Sequence, residues 1–133
     1  KNINFDPDTS LSFEGDSGPY LQYTAVRARS VLAKALEQGF SASFDFSAQT
    51  TDLERLIARF PDVVLRSTVE WAPHYIVTYL LELSQAFNSW YGNTKIINTE
   101  DKGTPHRLSL VEATQRTIQN GLWILGIEVP EKM

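Results

Sequence analysis

The sequence predicts an all-α protein: an antiparallel helical bundle of about five helices over residues 19–133, preceded by an extended lead-in over residues 1–18. Three observations carry that expectation. Apolar residues recur at steps of three and four, the period of one helix face. Prolines and glycines mark the ends of those stretches. No segment alternates apolar and polar residues as a half-buried strand does. Helical segments without strands must bury their apolar stripes against one another, which makes a bundle.

The lead-in is rich in Asp, Ser, Gly and Asn, with isolated aromatics at Phe5 and Phe13, and reads as turn-rich chain. A first helix begins near Pro19, since proline suits the opening helical turn. Leu21, Ala25, Ala28, Leu32 and Leu36 form its stripe and Gly39 stops it. A loop from Phe40 to Gln49 follows, with two rings, Phe44 and Phe46, that could be buried. Thr51 and Glu54 have the spacing of a capping box, so a helix starts there and runs to about Phe60. Pro61 interrupts it, and a short helix carries Val63, Val64, Leu65 and Val69. Pro73 opens what reads as the longest helix. Its stripe of Ile76, Leu80, Leu83, Phe87 and Trp90 is the strongest periodic signal in the chain, and Gly92 ends it. A polar loop over Asn93–Pro105 precedes a last helix from about His106, with Leu108, Val111, Ile118, Leu122 and Leu125 inward and Gly126 as its stop.

With 133 residues, 42% of them hydrophobic, the chain can form one domain with a genuine core. No apolar run approaches the ~20 residues of a membrane span. The first residues lack the apolar stretch of a signal peptide. The expected compartment is therefore the cytoplasm. Lys1 opens the chain without an initiator Met, which suits a portion of a longer chain or a processed terminus. There is no cysteine, hence no disulfide and no thiolate metal site. A formal net charge of −4 argues against coating nucleic acid by bulk electrostatics. It leaves open the reading of a few unpaired bases by stacking.

Motifs for chemistry are sparse. Gly15-Asp16-Ser17-Gly18-Pro19 resembles the GDSGGP string around the serine of chymotrypsin-like proteases. A nucleophilic serine needs a histidine base and an oriented carboxylate, and that fold is all-β. The plain alternative is a turn that hands the chain into a helix. Asp6-Pro7-Asp8 lacks the further oxygen ligands of a calcium loop. His74 and His106, the only histidines, each follow a proline that opens a helix and read as structural or surface residues. No metal site is expected from two isolated histidines. No phosphate loop is present. The aromatics at helix ends are more informative: Tyr20 and Tyr23 at the start of the first long helix, Trp90 and Tyr91 at the end of the fourth. Such rings either pack between helices or serve as stacking platforms for bases.

Several stretches together resemble arginyl-tRNA synthetases. The segment Phe13 to Tyr23 (FEGDSGPYLQY) is similar to the family's FEGDTGPYLQY, with Arg27 and Arg29 following. Phe60-Pro61-Asp62-Val63-Val64 resembles its YPDVV turn. Tyr79 to Leu83 with Phe87-Asn88 and Tyr91 resembles its YLxxLAxxFNxFY helix. Arg107 to Leu110, Asn120-Gly121-Leu122, Leu125-Gly126-Ile127 and Pro130 to Met133 resemble its ending, RLxL…NGLxLLGI…PERM. The likeness covers essentially the whole chain in order. It departs at Thr24-Ala25-Val26, where the family usually shows A-H-A.

The resemblance implies the C-terminal, DALR-type anticodon-binding domain of a class I enzyme that joins arginine to its tRNA using ATP with Mg. Residues 1–18 would then lead in from a catalytic half that carries the HIGH-like and KMSK-like motifs absent here, and this stretch by itself would be inactive and need no cofactor. The partners implied are the anticodon loop of the arginine tRNA and the upstream catalytic domain. Tyr23, Tyr91 and Met133 match positions that line the family's anticodon pocket, Tyr20 matches a neighbouring aromatic and is counted with them as an anticodon-binding residue, and Arg27, Arg29, Lys95 and Arg116 are candidate phosphate contacts. Two other readings compete: a helical protein-docking module with an apolar groove, and a small hydrolase using Ser17.

Overall fold

The computed structural model describes residues 6–12, 15–46 and 48–133. Phe5 and Phe13 of the lead-in lie outside the described residues. The described part of the lead-in is not wholly extended. Pro7–Ser10 form a single helical turn, α1, opened by proline and by the Asp6 carboxylate accepting from the Asp8 N–H at 3.2 Å.

The five expected helices follow as α2 (Gly18–Glu37), α3 (Asp52–Ala58), α4 (Phe60–Val69), α5 (His74–Asn93) and α6 (Thr104–Ile124). Four of the described helices reach ten residues or more, against the five expected, because α3 has only 7. Their ends obey local chemistry. The Ser17 hydroxyl caps α2 by accepting from the Tyr20 N–H at 3.1 Å, and it donates to the Ser12 carbonyl. GDSGP is thus a turn and a cap, with Pro19 in the first helical turn. Thr51 and Glu54 form the reciprocal capping box that their spacing predicts. Gly39 and Gly126 stop α2 and α6 at positive φ, +79° and +76°.

The expected longest helix is not α5 but α6, which begins two residues before His106 and has 21 residues against 20. Gly92 lies inside the last turn of α5 and does not end it. At the α4–α5 turn, Trp71 takes the left-handed conformation (φ 52°) that glycine usually supplies. Beside it the Glu70 carboxylate accepts from the Tyr75 hydroxyl (2.6 Å) and Arg66 Nε (2.8 Å), and those bonds hold its pKa below the usual carboxylate range.

The core is built from the stripes that periodicity picks out. Leu21, Ala25 and Ala28 of α2 meet Ile76, Leu80, Leu83 and Phe87 of α5 and Leu108, Val111, Ile118 and Leu122 of α6. Thr114 fills the gap in the α6 stripe and is fully buried. Gln22 Nε2 donates to the Glu128 carbonyl, while Ser43 N–H donates to the Pro105 carbonyl. The start of α2 therefore lies by the end of α6, and its end by the start of α6. The two helices run antiparallel, as expected.

Several expected core residues are outside. Leu36 is 72% exposed because the last turn of α2 turns Ala35 inward instead. Leu65 and Val69 are 64% and 69% exposed, because α4 packs mainly on α5 and touches α3 only slightly, which leaves these two side chains uncovered. Phe44 and Phe46 are also exposed; they pack edge-on against each other, and Phe44 against His106.

Candidate nucleic-acid interface

Three parts of the chain converge on one open groove of about 390 Å³: the face of α2 from Tyr23 to Lys34, the last turn of α5 and the C-terminal tail. α2 supplies Tyr23, Arg27, Ser30 and Lys34, which recur at helical spacing along one face. α5 supplies Tyr91, and the tail supplies Met133.

The Arg27 guanidinium sits in the middle. Its carbon lies 4.6 Å from the Tyr23 ring centre and 5.4 Å from that of Tyr91. Nη2 donates to the Tyr23 hydroxyl at 3.0 Å and Nη1 to Asn88 Oδ1 at 2.7 Å. Tyr91 and Met133 remain partly open to solvent. A second groove of about 350 Å³ adjoins the first and shares Val31, Lys34 and Tyr91 with it; Lys95 stands on its wall. No residue lining either groove is acidic, and among the described residues neither lysine is in an ion pair. The site is thus locally cationic on a chain of net charge −4.

The tail is held by α2. Gln22 Nε2 donates to the Glu128 carbonyl at 2.7 Å, and Arg29 Nη1 donates to the Pro130 carbonyl at 3.2 Å. These residues are seven apart, so they stand on one side of the helix and grip consecutive stretches of tail. Such an arrangement of rings, thioether and guanidinium can stack a planar heterocycle on one open face and offer its edge hydrogen-bond donors. The lysines can meet phosphate.

The residues singled out from the sequence divide accordingly. Tyr23, Tyr91, Met133 and Arg27 line the first groove, and Lys95 the second. Tyr20 lines neither. It is half-buried against the core, and its hydroxyl accepts from Asn88 Nδ2 at 3.0 Å. Arg29 fastens the tail. Arg116 pairs with Glu112 one turn earlier on α6 (2.6 Å) and lines neither groove. Lys34 was not singled out from the sequence, and Asn88 and Gln22 stood there only within family-like stretches, with no role attached. The spacing Tyr23, Arg27, Lys34 could have revealed the lysine, whereas Asn88 stands out only once α2 and α5 are packed.

The histidines behave as structural and surface residues. His106 Nδ1 accepts from the Asp45 N–H at 3.2 Å and tethers the Phe40–Gln49 loop, while His74 is exposed beside Tyr75. Ser17 is committed to capping. Among the described residues, no three or more His, Asp or Glu side chains are grouped to hold a metal ion.

Comparison with known proteins adds three findings. A family model described as "DALR anticodon binding domain" matches residues 21–133. Arginine–tRNA ligases of Exiguobacterium sp. and Clostridium perfringens are 39% and 38% identical over 99% and 100% of this chain. The chain spans only 23% and 24% of their lengths. The Thermus thermophilus arginyl-tRNA synthetase structure superposes with a TM-score of 0.82 at 40% identity, covering all of this chain and 24% of that one.

Proposed function

The chain belongs to the DALR anticodon binding domain family, and on that premise we propose that it is the anticodon-binding module of an arginine–tRNA ligase, with the anticodon loop of the arginine tRNA as its ligand. The observation that supports this most is the convergence of Tyr23, Arg27, Tyr91 and Met133 on one groove from three separate parts of the chain. Rings and a guanidinium at a half-open groove suit an unstacked base, and Lys34 and Lys95 suit its neighbouring phosphates.

In that role the module supplies binding and positioning. ATP with Mg would serve arginine activation in a catalytic portion outside this stretch, which would be the module's second partner. The work would be done in the cytoplasm. No described helix is long and apolar enough to cross a membrane.

Replacing both Tyr23 and Tyr91 by alanine in the ligase that contains this chain tests the proposal. Each lost ring should cost roughly 1–3 kcal/mol of tRNA binding, read as a higher KM for tRNA in arginine charging. Unchanged charging kinetics in a variant of normal helix content would refute the assignment.

A second reading, a helical protein-docking module with no nucleic-acid role, draws on an apolar groove of about 660 Å³ between α4 and α6. Leu65 and Trp123 are exposed there, and it shares no lining residue with the tyrosine groove. Leu65→Ser with Trp123→Ser should leave tRNA affinity unchanged if the tyrosine groove is the binding site. Loss of affinity in a folded variant would count against it.

A further inference from the structure

We infer that Asn88 is a positioning residue: it aims the Arg27 guanidinium between the Tyr23 and Tyr91 rings and so presets the groove for a base whose edge offers hydrogen-bond acceptors. The inference deepens the anticodon reading of that groove and rests on it.

Asn88 does not line the groove. It stands on α5 and reaches Arg27 on α2 with a bond of 2.7 Å to Nη1. A guanidinium can only donate, so the amide oxygen must face it. The amide nitrogen then faces the Tyr20 hydroxyl and Thr24 Oγ1, both at 3.0 Å. Thr24 spends its own hydroxyl proton on the Tyr20 carbonyl at 2.9 Å, so what it presents to Asn88 is a lone pair. One amide orientation satisfies every partner, and the flipped one would set an NH2 group against a cation. Thr24 is fully buried, so the anchoring side cannot give way easily.

The consequence falls on Arg27. A long cationic side chain free in solution loses rotamer entropy when it binds, whereas one already fixed does not. With Nη1 on Asn88 and Nη2 on Tyr23, the remaining N–H groups of Arg27 are left for an incoming base.

Asn88→Leu in the chain tests this, with Asn88→Ser as the second variant should leucine lower the helix content. Two measurements are made. Side-chain NMR of the free protein should show resolved, slowly rotating Nη signals for Arg27 that collapse to an average in the variant. Affinity of the ligase that contains this chain for an arginine tRNA transcript should fall by about tenfold, the worth of one charge-assisted hydrogen bond. In an Arg27→Ala background the same substitution should cost less than about twofold. An equal loss in both backgrounds, or Arg27 signals that stay resolved in the variant, overturns the inference. If the unmodified ligase that contains this chain shows no affinity for the transcript, the anticodon reading fails, and the NMR signals still decide whether Asn88 fixes Arg27.

Discussion

Gly121 of α6 faces Leu80 of α5 so closely that a methyl group on Gly121 would lie 2.7 Å from Leu80 Cδ2 and 3.1 Å from its Cγ. Leu80 is fully buried, so its end cannot swing into solvent to make room. The two helices pack at this point because one of them has no side chain. α2 and α5, which carry the groove, are both packed on α6, so the contact helps set the position of the site.

Gly121→Ala should therefore destabilise the fold. Alanine gains up to about 1 kcal/mol in helix propensity, but overpacking a full core costs roughly 1–3 kcal/mol. Thermal unfolding should show a lower Tm, and a rise would mean that α5 and α6 can separate freely. Gly121→Ala with Leu80→Ala should recover part of the strain in a double-mutant cycle.

Deleting Glu131 to Met133 should weaken arginine tRNA binding while leaving the Tm nearly unchanged. Met133 lines the groove yet is 47% exposed, so it contributes to the site more than to the core. The grips of Gln22 on Glu128 and Arg29 on Pro130 would survive the deletion. Equal affinity of the full and shortened chains would remove Met133 from the site.

Lys34→Gln should flatten the salt dependence of RNA binding, by roughly 0.7 in the slope of log affinity against log salt if it neutralises one phosphate of a single strand. Arg116→Gln is the matched control and should leave the slope alone, because Arg116 pairs with Glu112 away from both grooves. The reverse pattern would place the phosphate track on α6.

Asp101 should titrate below the ordinary carboxylate value, first because its side chain accepts from the Gly103 N–H and then because Arg107 donates to it. A carboxylate with a lowered folded pKa stabilises the loop fully above its unfolded value, near pH 4, and that contribution is lost as pH falls through the lowered folded value. Arg107→Met should move the Asp101 NMR titration midpoint part of the way back up, since the Gly103 bond remains. An unmoved midpoint would show that Arg107 does not hold the carboxylate in solution.

Local patterns along the chain were enough to place the helices and much of what they bury. A stripe such as Ile76, Leu80, Leu83 and Phe87 is a local record, since one helix face must be apolar wherever it meets a core. Caps such as Ser17 and the Thr51–Glu54 pair are equally local, because their partners lie within one turn. The resemblance named the tyrosines and Met133, but it could not tell a groove wall from a support. Only the packing of α2 on α5 shows that Tyr23 faces the groove while Tyr20, three residues earlier, turns toward Asn88. Packing also leaves Leu36, Leu65 and Val69 outside. The reason is geometric: periodicity tells which face of a helix is apolar, but not where a neighbour stops covering it. The meeting of Arg27 with Asn88 depends on the register of α2 against α5, and no local pattern encodes that distance.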